Sequence, residues 1–232
     1  NIASDEYMRR TGMDTARSTR QRAGRAVDEI VDKSRKGEDI VLESLLDSVY
    51  DVLRDPIATY NAIQLAVDDL FGGLSALRVA STRESWQSQI QVGRAHPICT
   101  LLHQDPFTSR AFFKPRGYAG DAVMMDYIYG REENWPRPES TELGAAIFDY
   151  TTAAPASAGV RERRCYVAEL LDMLGRGRKE IEVLAVAAGH LREASVSTAV
   201  RRSRFSRFLA SDADQSSLDE IRTQYQRFGI EP

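Results

Sequence analysis

Apolar residues recur at three- and four-residue spacing through the first hundred positions, a pattern that predicts helix after helix. Ala23, Val27, Ile30 and Val31 mark a helix over Asp14–Lys36, which Gly37 stops. Asp39 is placed to cap the next, where Ile40, Leu42, Leu45, Leu46, Val49, Val52 and Leu53 form a wide stripe. Asp55-Pro56 ends that helix and is expected to start a third, carrying Ile57, Tyr60, Ile63, Leu65, Val67 and Leu70 up to Gly72-Gly73. A further pattern runs from Leu74 to Val92 and meets His96-Pro97. Stripes this broad suit a small bundle rather than a two-stranded coiled coil.

From His96 to Tyr150 five prolines and several glycines break the chain into short pieces. Asp105-Pro106 reads as a helix start. Regularity returns at Pro155, with a helix around Arg161–Leu174 and a turn at Gly175–Arg178. Strand Ile181–Val186, helix Arg192–Arg202, strand Phe205–Ala210 and helix Ser216–Phe228 follow. Strand alternating with helix predicts an α/β fold with a parallel sheet and right-handed crossovers. The expected organisation is a helical N-terminal or lid domain over 1–150 and the first part of a sheet domain over 151–232. A third strand should begin at Gly229–Pro232, and two parallel strands alone leave both faces and edges unmet. The sheet is therefore expected to be completed by chain beyond Pro232 or by a second copy, as in a homodimer, the former being favoured.

A hydrophobic content of 42% with 28% charged residues is that of an ordinary globular chain. The net charge of −3 gives no overall drive towards nucleic acid, so no nucleic-acid partner is expected. The basic cluster Arg17, Arg20, Arg22, Arg25, beside Asp28, Glu29 and Asp32, reads as a solvated helix face. Cys99 and Cys165 lack metal-type spacing and read as reduced thiols. No apolar run reaches the roughly 20 residues of a membrane span, and no secretory leader is evident, so a cytoplasmic location is the expectation.

The chemistry concentrates where the first strand ends, in Ile181–Arg192, IEVLAVAAGHLR. Ala187, Ala188 and Gly189 form a small-residue turn that lets a ligand approach the backbone and the following helix. The second strand ends in Ser211-Asp212-Ala213-Asp214. A carboxylate at that tip accepts hydrogen bonds from both hydroxyls of a ribose, which makes Asp212 a cofactor-binding candidate. Asp214 either assists it or caps the helix at Ser216. By pattern alone this arrangement serves NAD, FAD or S-adenosylmethionine. The absence of G-x-G-x-x-G removes the usual pyrophosphate cradle and favours the ligand without phosphate.

Ile181–Glu193 with AGHLREA, and FLASDADQSSL after it, resemble class I S-adenosylmethionine-dependent methyltransferases. More narrowly, HPICTLLHQDPFTSRAFFKPRGYAGDAVMMDYIYG (His96–Gly130) is similar to the bacterial 3-hydroxypalmitic acid methyl ester biosynthesis subgroup, as is the pre-strand stretch Ser157–Arg164. The resemblance implies an N-terminal helical domain followed by an incomplete Rossmann-like sheet that binds S-adenosyl-L-methionine. It departs from the general pattern at Ala185, where an acid is usual, and at Ala187 and Leu191, where glycines are; the subgroup often has Cys at Ala188. His190, Arg192 and Glu193 then stand in, Glu193 for the cofactor's ammonium and Arg192 for its carboxylate.

In Lys114–Asp121 (KPRGYAGD), Pro115 ends a helix and Asp121 can cap the next. By its residues the segment reads either as a rigid turn with a capped helix or as a roof; the resemblance favours Arg116, Tyr118 and Asp121 as the roof of the cofactor or substrate pocket. His96 and His103 are candidates for a general base, with Tyr118 counted beside them as catalytic. His96, His103 and Asp105 fit no compact zinc template, and no metal is expected. Met124–Tyr129 reads as core. The expected activity is methyl transfer to a small molecule, with the carboxylate of a 3-hydroxy fatty acid as the acceptor the resemblance implies. The rival is a non-catalytic adenosyl-ligand sensor or a helical adaptor. An NAD-dependent reductase is a third reading.

Overall fold

The computed structural model describes residues 40–133, 135–176 and 180–232. The helix expected over Asp14–Lys36, its basic cluster and the Asp39 cap lie outside them. In chain order the helices are α1 Ile40–Leu53, α2 Tyr60–Ala80, α3 Arg83–Ala95, α4 Ile98–Leu102, α5 Pro106–Phe113, α6 Ala122–Glu133, α7 Glu142–Ala153 and α8 Pro155–Leu174. Then come β1 Glu182–Val186, α9 Glu193–Val196, α10 Thr198–Arg201, β2 Arg207–Ser211, α11 Gln215–Tyr225, a 3₁₀ turn Gln226–Phe228 and β3 Ile230–Glu231. The chain divides into two compact units. The first is 40–105 with Ser140–Tyr150; the second is Pro106–Glu139 with Thr151–Pro232. The segment 106–139, expected with the helical domain, thus belongs with the sheet.

In the first unit, Leu42, Leu46, Val49 and Leu53 of α1 pack with Ile63, Val67, Leu70 and Leu77 of α2, joined by Ile98 and Ile147. Two boundaries differ from the sequence expectation. Asp55-Pro56 does not start α2. Instead Asp55 Oδ1 accepts from the Ile57 N–H at 3.0 Å, closing a turn, and Ile57 stays 84% exposed. Thr59 is the cap, its hydroxyl accepting from the Ala62 N–H. Nor do Gly72-Gly73 stop the helix. Each costs about 1 kcal/mol against alanine in a helix. Continuing the stripe buries Leu77 and Ala76 beyond them, and a fully buried leucine alone returns roughly 1.5–3 kcal/mol. The break comes at Ser81, where Thr82 caps α3.

The second unit holds a small sheet of order β1-β2-β3, all parallel. Val186 pairs with Ser211, and the short β3 pairs with Phe208 and Leu209. Phe208, Ala210, Ile221, Tyr225, Ile230, Leu191, Val200 and Leu171 form its core. The single helix expected over Arg192–Arg202 is two short helices broken at Ser197. That buried hydroxyl donates to Asp172 Oδ1 at 2.6 Å and accepts from the Val200 N–H, so a side-chain bond to α8 replaces helical continuity. Among the described residues the architecture is mainly helical with one small three-stranded parallel sheet, consistent with an α/β fold. No helix among the described residues is long and apolar enough to cross a membrane.

Candidate functional site

The site lies in the second unit, at the carboxyl ends of β1 and β2. Beyond Val186 the ladder extends by one bond, Ala188 N–H to Ser211 O at 3.1 Å. The chain then turns through three left-handed residues in five: Ala187 at φ 53°, Gly189 at 54° and Leu191 at 49°. Glycine adopts this conformation freely, whereas a residue with a Cβ pays roughly 1 kcal/mol or more. Ala187 and Leu191, the two positions that depart from the glycine pattern, therefore keep the glycine backbone. Buried Leu191 offsets its strain by packing in the core.

Asp212 closes this turn. Its Oδ2 accepts from the Gly189 N–H at 2.7 Å and its Oδ1 from the Asp214 N–H at 2.9 Å. Each oxygen retains an acceptor position, so the carboxylate can still receive two hydroxyl donors. Asp214 has other partners. It caps α11 through Ser216 N–H, accepts from the Ser217 hydroxyl at 2.9 Å, and pairs with Arg116 at 2.8 Å. Burial would raise its pKa, but these bonds outweigh it and hold the carboxyl below its ordinary value.

The loop 114–121 is fixed by charge. Asp121, 1% exposed, caps α6 through the Met124 N–H and accepts from Arg110 Nε on both oxygens at 2.8 Å. Burial is again outweighed, chiefly by the Arg110 bond, and the Asp121 pKa is lowered. Arg116 Nη1 also reaches His190 Nε2 at 3.2 Å. Arginine only donates, so Nε2 accepts and Nδ1 carries the proton given to Asp126 Oδ2 at 2.8 Å. Asp126 takes a bidentate fork from Arg192 as well, at 2.7 and 2.6 Å. Those partners overcome its burial and lower its pKa. Arg192 additionally donates to Glu220 at 2.8 Å and lies 5.4 Å from the Trp135 ring centre.

Beside the turn is a cavity of about 720 Å³, within the usual size of small-ligand sites. Asp212 and the 187–193 turn border it together with Tyr118. Helix α6 contributes Ala122, Met125, Asp126 and Tyr129, and α8 contributes Val160, Arg163, Arg164 and Val167. Both sets run i, i+3, i+4, i+7, so each helix offers one face. Burial, then the nearby Asp212, Asp214 and Asp121 carboxylates, push the Tyr118 pKa up, so its hydroxyl remains a donor at neutral pH.

Of the residues singled out from sequence, Tyr118, Ala187, Gly189, His190, Glu193 and Asp212 meet at this cavity. Arg116, Asp121 and Asp214 are not among its lining residues; they brace the loop and helices around it. His96 and His103 belong to the first unit. His96 Nδ1 accepts from the Ile98 N–H and its Nε2 donates to Asp47 at 3.0 Å, while His103 ends α4. Arg192, expected to take a ligand carboxylate, is already forked to Asp126. Sequence reasoning missed Asp126, Arg110, Arg163 and Arg164. For Asp126 and the arginines of α8 the available signal was helical spacing, since it puts Asp126 on one face with Ala122, Met125 and Tyr129, and Arg163 and Arg164 on one face with Val160 and Val167. Among the described residues no group of three His, Cys, Asp or Glu could hold a metal ion.

Comparison with protein-family models, curated proteins and solved structures finds no match to this chain.

Proposed function

We propose that the chain binds S-adenosyl-L-methionine in this cavity and serves methyl transfer to a small molecule, on a sheet of the Rossmann-like kind. The observation that carries the reading is the Asp212 carboxylate, bonded to the Gly189 N–H at 2.7 Å on the cavity's edge. An acid joined to the small-residue turn of the neighbouring parallel strand suits a ribose diol. The left-handed backbone at 187, 189 and 191 supports the same reading, because strain of this kind is kept where a ligand must approach closely. Nothing in the turn offers a glycine-rich cradle for a pyrophosphate, which disfavours NAD and FAD.

The bound cofactor supplies an electrophilic methyl group on a sulfonium. The residues here align the reactants and exclude water. Both nitrogens of His190 have partners, so the histidine nearest the cavity is poorly placed as a base. That suits an acceptor already ionised at neutral pH, such as the carboxylate of a 3-hydroxy fatty acid, which needs positioning alone. Tyr118 can donate to it.

Titration calorimetry with S-adenosylhomocysteine, S-adenosylmethionine and NAD is the direct test. Heat from the first two and none from NAD is expected. Incubation with the cofactor and 3-hydroxy fatty acids should then yield methyl esters by mass spectrometry. Binding without transfer to any acceptor would favour a sensor instead, and no binding at all an adaptor.

A further inference from the structure

Charge of one sign gathers at the other end of the sheet, before the strands begin. Arg176 follows α8 on the way to β1, and Arg202 and Arg204 follow α10 on the way to β2. All three border a cavity of about 350 Å³ together with Thr198, and it shares no lining residue with the cavity described above. The chain as a whole carries a net charge of −3, so the cluster is no by-product of a basic composition.

Backbone geometry gathers these arginines. A Cβ on Gly175 would lie 2.6 Å from the Ala199 Cβ and 3.4 Å from the Arg204 Cβ, so the glycine lets the end of α8 rest against α10 and the turn after it. That turn is closed by Ser203 N–H to Val200 O at 2.8 Å and Arg204 N–H to Ala199 O at 3.0 Å, with Ser203 left-handed at φ 48°. The Ser203 hydroxyl donates to Phe228 O at 3.1 Å and ties the turn down.

None of the three guanidiniums forms a salt bridge among the described residues. The carbonyls that attract cations to helix ends are already used. Leu171 O and Met173 O accept from backbone N–H groups past α8, and Thr198 O, Ala199 O and Val200 O from those past α10. Asp172 also borders the cavity, but its Oδ1 accepts from the Ser197 hydroxyl at 2.6 Å and the Ala199 N–H at 2.7 Å. A concave surface lined mainly by one sign of charge concentrates counter-ions. Guanidinium forks match phosphoryl oxygens, and Thr198 adds a hydroxyl.

We propose that this cavity binds the phosphoryl dianion of inorganic phosphate or of a small phosphate monoester, held by Arg176, Arg202 and Arg204. A carboxylate offers one charge and two oxygens, which a single fork satisfies; three guanidiniums suit a dianion with three free oxygens. Convergence on one enclosed volume suits a small molecule rather than an extended polyanion. The site does not depend on the adenosyl reading.

Calorimetry in phosphate-free buffer tests it with inorganic phosphate, glycerol 3-phosphate and acetate. One-to-one binding of both phosphates and none of acetate is expected, and the tighter phosphate identifies the source. Arg202→Gln and Arg204→Gln should each weaken binding about tenfold or more, the loss of one charged hydrogen-bonding partner. Both side chains are exposed, so neither change threatens the fold. Arg207→Gln, on β2 and outside the cavity, should leave the affinity unchanged. No heat from either phosphate at millimolar concentration would overturn the site, and acetate binding as tightly as phosphate would overturn the choice of a dianion. Equal weakening by Arg207→Gln would replace it with a diffuse basic surface. Competition between phosphate and S-adenosylhomocysteine would move the anion to the other cavity and likewise overturn the proposal.

Discussion

Around the cavity, in the 114–121 loop and among α5, α6 and α11, guanidinium and carboxylate groups are matched. Arg110 has Asp121, Arg116 has Asp214 and His190, and Arg192 has Asp126 and Glu220. On the side formed by α8 and the start of α9 the pairing is less complete among the described residues: Arg164 pairs with Glu133 but leaves Nη1 unbonded, and Glu193 forms no salt bridge there. The contrast separates charges that brace the fold from charges that cost it stability. A paired, desolvated charge fixes the turn and loop in place but has little left to offer a ligand. An unpaired one carries its desolvation cost without an offset.

The most damaging way to break the matched set is Asp126→Asn. It leaves His190 facing an amide and Arg192 with Glu220 as its carboxylate, so the cost falls toward the lower end of the about 3–5 kcal/mol for breaking a buried ion pair. Urea denaturation measures it. A loss under about 1 kcal/mol would mean that the pairing braces nothing.

Acid titration comes next. Asp121, Asp126 and Asp214 all have pKa values lowered on folding from 3.8. A carboxyl bound more tightly as its anion in the folded state adds stability above the unfolded pKa and loses it as pH falls through the folded value. Stability should therefore fall below about pH 4, and Asp126→Asn should flatten part of that fall. An acid limb identical in the variant would contradict the assignment.

Ala187→Gly addresses the turn that both sides share. Removing a Cβ from a left-handed residue should stabilise the protein by about 0.5–1 kcal/mol, the relief of strain exceeding the added freedom of the unfolded chain. Thermal melting reads this, and destabilisation would argue that the turn is unstrained.

The smallest expected change in stability is at Glu193→Gln. Because the Glu193 pKa is raised by burial, its charge opposes folding at neutral pH, the reverse of the three aspartates. The amide should leave the empty protein unchanged or stabilise it by about 0.5 kcal/mol, while weakening S-adenosylhomocysteine. Marked destabilisation would move Glu193 to the bracing set.

Local pattern determined a good deal of this molecule. The alternation of strand and helix after Pro155, the parallel sheet, the Asp121 and Asp214 caps and the turn at Gly189 follow from residues a few positions apart. That the 187–193 turn and Asp212 meet was legible too, because parallel strands joined by a helix must end on the same side. The interruptions were harder. Gly72-Gly73 was read as a stop and lies inside α2, since burial of Leu77 outweighs the propensity of two glycines. Ser197 splits a helix because Asp172, 25 residues earlier, bonds its hydroxyl.

Charge assignment was decided by tertiary structure alone. Arg192 and Arg164 look alike in the sequence, each within two residues of a glutamate. Asp126 on α6 occupies the first, and Glu133 and Tyr129 hold the second with one donor to spare. Hydrophobic period reports which face of a helix is buried. It carries no information on which distant carboxylate that burial delivers, and that pairing decides which elements each arginine ties together.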